Sequence, residues 1–418
     1  MTYNNAQKYI LNSPDYVESV TSGENLRALW NELGHPEKGM KYIQLTGSNG
    51  KSVTAEMLVS VYKNTDYSVG ALTTSLRNDL RQNIIVNGAP LSFDDMAECV
   101  GIIYKIASKK SKQALDSKGF ILTKQEILLT AALLAFKKAK CDLCLIESDH
   151  KHTDPTVFLP PPFTVAICGV IPSQNKNEIQ RIRSYISHGI EEIVSSPQDH
   201  EAYNVISNTC AAVNCRLTIP AKSELEVKQL SLKGSEFSYR GLDYKLGICG
   251  KFQISNAIFS IELFNRLSVK GYPVTYEQIY NGLKNLKLPA KFEVLSITPT
   301  IIADSTHSDV AISTVCESMS DFRNVLGSKI SLCLPDSPIV KEYVRVLNEK
   351  KYEIENIIVF GENQDTNLDC IYCKTTKDII KSILELIKGD GVLLISGPSS
   401  FTQKIRYELL LRLGYLPL

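Results

Sequence analysis

The sequence predicts an α/β protein built from two domains, and three observations carry that expectation. Short apolar runs alternate with helical patterns along most of the chain. After residue 300 the alternation becomes regular enough to imply a parallel sheet covered on both faces. Near the N-terminus, KYIQL, a glycine-bearing turn and SVTAEMLVSVY read as strand, loop and helix. At 418 residues the chain exceeds one ordinary domain. The boundary is placed near 295: a larger α/β domain over 1–295 and a second α/β domain over 296–418.

Taken in order, 41–46 reads as a strand, 51–64 as a helix and 68–74 as a strand. Helices are expected at 92–110 and 123–140. The second opens T-K-Q-E, so Thr123 can cap the helix while Glu126 reaches back to the cap. Strands follow at 141–147 and 163–171, and 225–250 is hairpin material with Lys-Gly and Arg-Gly turns. Helices are expected from Ser255 and Thr275. Beyond them, strands TIIAD, KISLCLP, NIIVFG and GVLLIS alternate with helices near 308–321, 338–350, 375–388 and 401–413.

Composition limits the function. A formal net charge of +1 gives no bulk attraction to nucleic acid or anionic membrane, and no apolar stretch reaches bilayer length. The opening MTYNNAQKYILNS lacks the pattern of a signal peptide, so the 11 scattered cysteines are expected to be reduced thiols in a cytoplasmic protein. Cys141 and Cys144 have redox or zinc spacing, but the apolar run CDLCLIE favours alternate faces of a strand.

The chemistry concentrates at Gly47-Ser48-Asn49-Gly50-Lys51-Ser52. Glycines let backbone N–H groups turn toward phosphate oxygens, and the helix that follows adds its positive end. Lys51 would meet the β- and γ-phosphates, and Ser52 would offer a hydroxyl to Mg²⁺. The spacing is shorter than G-x-x-x-x-G-K-[ST], so a plain strand–turn–helix connection is the competing explanation. The strand 141–147 ends in Glu147, the acid placed to reach Mg²⁺ from the sheet's carboxyl edge.

Together these segments resemble the Mur ligase family, in its folylpolyglutamate synthase/dihydrofolate synthase branch. The loop matches that branch's G-T-N-G-K, and IVNGAPLSFDDM (85–96) matches its I-N-G segment. Thr123-Lys124-Gln125-Glu126 echoes T-x-F-E. Gly250-Lys251-Phe252-Gln253-Ile254-Ser255-Asn256-Ala257 carries G-x-[HF]-Q-x-x-N-A intact. LPAKFEVL places Lys291 where the family has Arg, IIADSTHSD keeps Asp304 and His307, and LISGPSSF follows the late G-S segment.

The resemblance implies an ATP-binding, P-loop ATPase-type α/β domain (the Mur ligase central domain) over 1–295, a Rossmann-like Mur ligase C-terminal domain over 296–418, and an ATP-dependent amide ligase. Such an enzyme activates a small-molecule carboxylate as an acyl phosphate and couples it to an amino acid, glutamate in this branch. By the same resemblance Lys51 and Ser52 hold phosphate and Mg²⁺, and Glu147 ligates Mg²⁺. Gln253 and Asn256 serve the nucleotide, Asn256 at the adenine; Lys291 and Asp304 contact it from the second domain, and His307 lies near the acyl phosphate. Closure of the second domain over the first would complete the site.

The chain departs from the pattern where metal and acceptor are bound. Glu147-Ser148-Asp149-His150-Lys151-His152-Thr153-Asp154 replaces a glycine-rich stretch with arginine. VIPSQNKNE lacks the family's Asp-His, Ser187-His188-Gly189-Ile190 replaces K-A-G-I, and Leu76-Arg77-Asn78 replaces P-H-L. Asp149, His150 and His152 are either replacement ligands or a solvated loop. Two readings therefore stand: an active ligase of altered specificity, or a degenerate paralogue that binds nucleotide or a partner without ligating. Retention of Lys51, Ser52, Gln253, Asn256, Asp304 and His307 together favours the first.

Overall fold

The computed structural model describes residues 1–15, 23–74, 79–113, 120–148, 154–172, 175–186, 189–306, 308–361 and 368–414. The chain forms two compact units, Met1–Ala221 with Ile258–Gly282, and Lys222–Ala257 with Leu283–Leu418. The boundary expected near 295 thus falls inside the second unit, and 222–257 groups with the C-terminal part. The helix Lys251–Val269 crosses from one unit to the other, so a single cut in the sequence cannot separate them.

In the first unit the strands are β1 (Tyr42–Gly47), β2 (Val69–Leu72), β3 (Ile84–Val86), β4 (Ala89–Pro90), β5 (Leu143–Glu147), β6 (Thr164–Cys168), β7 (Glu192–Ser195) and β8 (Arg216–Thr218). They form one sheet in the order β4-β3-β2-β5-β1-β6-β7-β8. It is parallel except for the β3–β4 hairpin on β2. Every residue of β1, β2, β5, β6 and β7 is buried, which is why these segments read as continuous apolar runs without alternation. Helices Tyr3–Asn12, Glu24–Glu32, Phe93–Gln113 and Lys124–Lys138 share one core with Tyr42, Leu72, Cys144 and Ile146. Helices Lys176–Tyr185 and His200–Ala212 pack on Val165, Ile167 and Ile193.

Helix Lys124–Lys138 begins as the capping signal specifies: the Thr123 side chain accepts from the Glu126 N–H, and Glu126 accepts from the Thr123 N–H at 2.7 Å. The two N-terminal helices and the β3–β4 hairpin were not legible in the pattern. Asn87-Gly88 joins that hairpin with both residues at positive φ, so the dipeptide was the available turn signal. Cys141 precedes β5, where its Sγ accepts from Ser68 Oγ at 3.8 Å, and Cys144 lies within the strand, which corrects the expectation that both belong to it. All 11 cysteines are free.

The second unit holds an antiparallel meander, β9 (Leu225–Ser231), β10 (Gly234–Tyr239) and β11 (Leu242–Leu246). The expected hairpin is therefore three-stranded, with Lys233-Gly234 and Arg240-Gly241 at its turns. Six more strands are β12 (Lys291–Ile297), β13 (Thr300–Asp304), β14 (Lys329–Pro335), β15 (Glu353–Phe360), β16 (Ile371–Cys373) and β17 (Val392–Ser396). Their order is β12-β13-β17-β14-β15-β16, all parallel but β12. Side chains alternate between two cores: Ile302, Leu332 and Leu394 face helices Asp309–Asp321 and Ile339–Glu349. Ile301, Cys333 and Leu393 face Thr376–Leu386 and Ser399–Arg412. A sheet buried on both faces is the architecture that regular strand–helix alternation implied.

Candidate functional site

The expected site residues resolve into two clusters, one inside each unit. In the first unit, parallel pairing of β1 with β5 sets Leu45 beside Glu147, and pairing with β6 sets Gly47 beside Cys168. The carboxyl ends of three central strands therefore meet at the loop 47–52, where open α/β sheets bind ligands.

The loop's glycines are there for space and for backbone sign. Gly47 has φ 102°, and a Cβ there would lie 2.2 Å from the Cys168 carbonyl oxygen. Gly50 has φ 85° and starts the helix Lys51–Tyr62 in the left-handed region, where an L side chain is strained. Glycine brings no capping oxygen, and the positive end of the helix dipole lies at this loop. The helix itself is held by a nearly all-round apolar surface, including buried Val53, Ala55, Met57, Leu58, Val59 and Val61.

Lys51 is buried, at 7% exposure, and its Nζ donates to the Gly47 carbonyl at 2.9 Å. Burial pushes its ammonium below the usual lysine range, while the Glu147 carboxylate works against that fall. Ser52 Oγ donates to Glu147 Oε2 at 2.9 Å, joining the hydroxyl and carboxylate that the sequence singled out separately. Two hard oxygen donors in direct contact at a sheet edge fit Mg²⁺ rather than a soft metal. Among the described residues no group of three or more His, Cys, Asp or Glu side chains is arranged to hold a metal ion.

Sequence reasoning missed the wall on the loop's other side. Gly169 has φ 74°, and a Cβ there would approach Asn49 N and O at 2.9 and 2.8 Å. Ser48 Oγ donates to the Val170 carbonyl at 2.7 Å. The only sequence hint was a glycine directly after an apolar strand.

In the second unit, Gln253, Asn256, Lys291 and Asp304 come together. Gln253 is fully buried; its Oε1 accepts from Asn256 Nδ2 at 3.0 Å, and its Nε2 lies 3.5 Å from the Lys291 carbonyl. Lys291 pairs with Asp304 across β12–β13, where a bulge follows between Lys291 and Glu293. Phe292 stands at φ 56°, a strained value for an aromatic residue, and its N–H donates to Asp304 Oδ2 at 2.7 Å. Thr306 donates its hydroxyl to the other carboxylate oxygen. Burial raises the Asp304 carboxyl above its ordinary range, opposed by Lys291 and by these two hydrogen bonds. His307, Asp149, His150, His152, Ser187, His188 and Leu76-Arg77-Asn78 lie outside the described residues.

With the geometry in place, comparison with known proteins identifies relatives. No family model matches the chain. A probable bifunctional folylpolyglutamate synthase/dihydropteroate synthase of Haloferax volcanii is 24% identical over 314 residues, which cover 72% of this chain and 36% of that protein. The chain thus spans well under half the length of that relative. The dihydrofolate synthase/folylpolyglutamate synthase of Bacillus subtilis is 24% identical over 418 aligned residues, covering 92% of this chain and 94% of the relative. Among solved structures, Mycobacterium tuberculosis folylpolyglutamate synthase complexed with ADP superposes with a TM-score of 0.79 at 17% identity, covering 97% of this chain and 98% of that one. The fold is that of these two-domain α/β enzymes, and the homologues fall in the branch of the Mur ligase family that the motifs resemble. No helix among the described residues is long and apolar enough to cross a membrane.

Proposed function

We propose that this chain is an ATP-dependent ligase of the folylpolyglutamate synthase/dihydrofolate synthase type, joining the amine of an amino acid to a small-molecule carboxylate. The observation that carries the proposal is the Ser52–Glu147 hydrogen bond beside buried Lys51, at the carboxyl edge of a sheet with this fold. By homology the amino acid is glutamate and the carboxylate belongs to a pterin-containing acid of the folate class.

The reaction has two displacements. A carboxylate oxygen of the acceptor attacks the γ-phosphorus of ATP and ADP leaves, giving an acyl phosphate. The amine nitrogen then attacks the acyl carbon, an amide forms, and inorganic phosphate departs. Transfer of a phosphoryl group asks the protein mainly for positioning and for cations at the charge that develops. The loop N–H groups and the start of the helix Lys51–Tyr62 would hold phosphate oxygens, and the Lys51 ammonium would leave the Gly47 carbonyl for them. Ser52 and Glu147 would hold Mg²⁺, which when bound neutralises charge on the transferring phosphate. Asn256, oriented by Gln253, is assigned to the adenine; Lys291 and Asp304 are assigned to the nucleotide, and His307 to the acyl phosphate, by resemblance.

The test is phosphate release measured with MgATP against a panel of carboxylate acceptors and amino acids, dihydropteroate and folates with glutamate included. Acceptor-dependent release that is lost in Lys51→Ala supports the reading. Nucleotide binding without release under every acceptor would replace it with a binding module.

A further inference from the structure

The loop 47–52 is tied to the segment Gly169–Ile171, which has left the sheet after β6 and whose peptide groups need partners of their own. One side chain supplies two of them, at both ends of the segment. Gln198 Nε2 donates to the Gly169 carbonyl at 2.9 Å, and Gln198 Oε1 accepts from the Ile171 N–H at 2.9 Å. The same Nε2 lies 3.0 Å from the Ser196 carbonyl and 3.2 Å from Ser195 Oγ. The Gly169 N–H donates to Ser196 Oγ at 3.0 Å, and the Ser196 N–H returns to the Ile167 carbonyl at 2.8 Å. The amide's orientation is fixed by chemistry, because exchanging its ends would set an NH₂ against the Ile171 N–H.

We propose that Gln198 is a positioning residue for the nucleotide: by clamping Gly169 and Ile171 it fixes the wall to which Ser48 is bonded, and thereby holds the phosphate loop in its binding conformation. This rests on the nucleotide reading of that loop. Gln198 does not touch the loop itself; its influence passes through Val170 to Ser48, and through Gly169 to the backbone of Asn49. The core beneath is independent of it. The β6–β7 ladder continues through Ile167 and Ser195, and Val165, Ile167 and Ile193 pack on helices without Gln198. Losing this amide should therefore loosen the wall locally and leave the unit folded.

The test is titration calorimetry of the full chain with MgADP and with a non-hydrolysable ATP analogue plus Mg²⁺. Gln198→Met keeps length and loses every hydrogen bond, so the dissociation constant should rise about tenfold at unchanged circular dichroism. Gln198→Glu keeps the acceptor for Ile171 but turns a carboxylate on two carbonyls, and should bind at least as weakly. Ser48→Ala combined with Gln198→Met should cost less than the sum of the two, because both act through one wall. In turnover, KM for ATP should rise while KM for acceptor and amino acid stays put, a split that general destabilisation does not produce. If Gln198→Met does not fold, Ser196→Ala removes only the bond to the Gly169 N–H and should weaken binding by roughly threefold. Wild-type affinity in these variants, or full additivity with Ser48→Ala, overturns the proposal while the nucleotide site stands. A wild-type chain that binds neither nucleotide overturns both.

Discussion

Lys51 and Asp304 are buried ionisable groups held away from their ordinary titration ranges by desolvation, in opposite senses. For Lys51 the folded pKa is lowered. Below that value both folded and unfolded chains carry the proton, and the folded one bears the burial cost. As pH rises from there toward about 10.4, the native lysine loses its proton first and stability climbs. Lys51→Met should abolish nucleotide binding and flatten that alkaline climb, read as melting temperature against pH beside the wild type. For Asp304 the folded pKa is raised, so stability is fully present below the unfolded value near 3.9 and falls as pH rises through the shifted one. Asp304→Asn can keep its Oδ1 on the Phe292 N–H and turn its Nδ2 to donate to the Thr306 hydroxyl, without the buried charge. At neutral pH it should raise the melting temperature by about 2–4 °C, the shift produced by ~1 kcal/mol in a domain of this size, while weakening nucleotide affinity. Gly169→Ala combines a positive φ with a collision against Asn49, so it should lower nucleotide affinity by more than tenfold, measured by calorimetry.

At the scale of elements, local signals and tertiary packing contributed unequally. The capping box at Thr123 and Glu126 was legible because its chemistry is contained in four residues. Thr123→Ala should destabilise the chain by about 1 kcal/mol in chemical denaturation, with no change in nucleotide affinity. The helix expected from Ser255 starts at Lys251, immediately after Gly250 at φ 108°. Helix start signals there were weak because Gly250-Lys251-Phe252-Gln253 offers no capping side chain at the true start. The N-terminal helices were missed for a different reason. Their stability comes from burying Ala6, Ile10, Leu26, Leu29 and Trp30 in a core whose other residues lie far along the chain.

At the scale of the molecule, the residues the sequence singled out fall in two units: Lys51, Ser52 and Glu147 in one, Gln253, Asn256, Lys291 and Asp304 in the other. A ligand that contacts the folded chain raises its stability by mass action. MgATP at about 100 times its dissociation constant should stabilise the protein by ~2.7 kcal/mol in thermal unfolding. That gain should be missing from Lys51→Met. A gain retained in full by Lys51→Met would remove the loop 47–52 from the proposed nucleotide site.

The sequence by itself determined the α/β class, the strand, glycine turn and helix around residues 47–52, and the acid that ends β5, because each depends on residues adjacent in the chain or on a period of apolar side chains. Only the tertiary structure decided that the domain division interleaves, that Ser52 reaches Glu147, and that Gly169 with Gln198 backs the loop. Those facts depend on which strands become neighbours. Pairing of β1 with β5 and β6 is set by burial summed over the whole sheet, which no local pattern records.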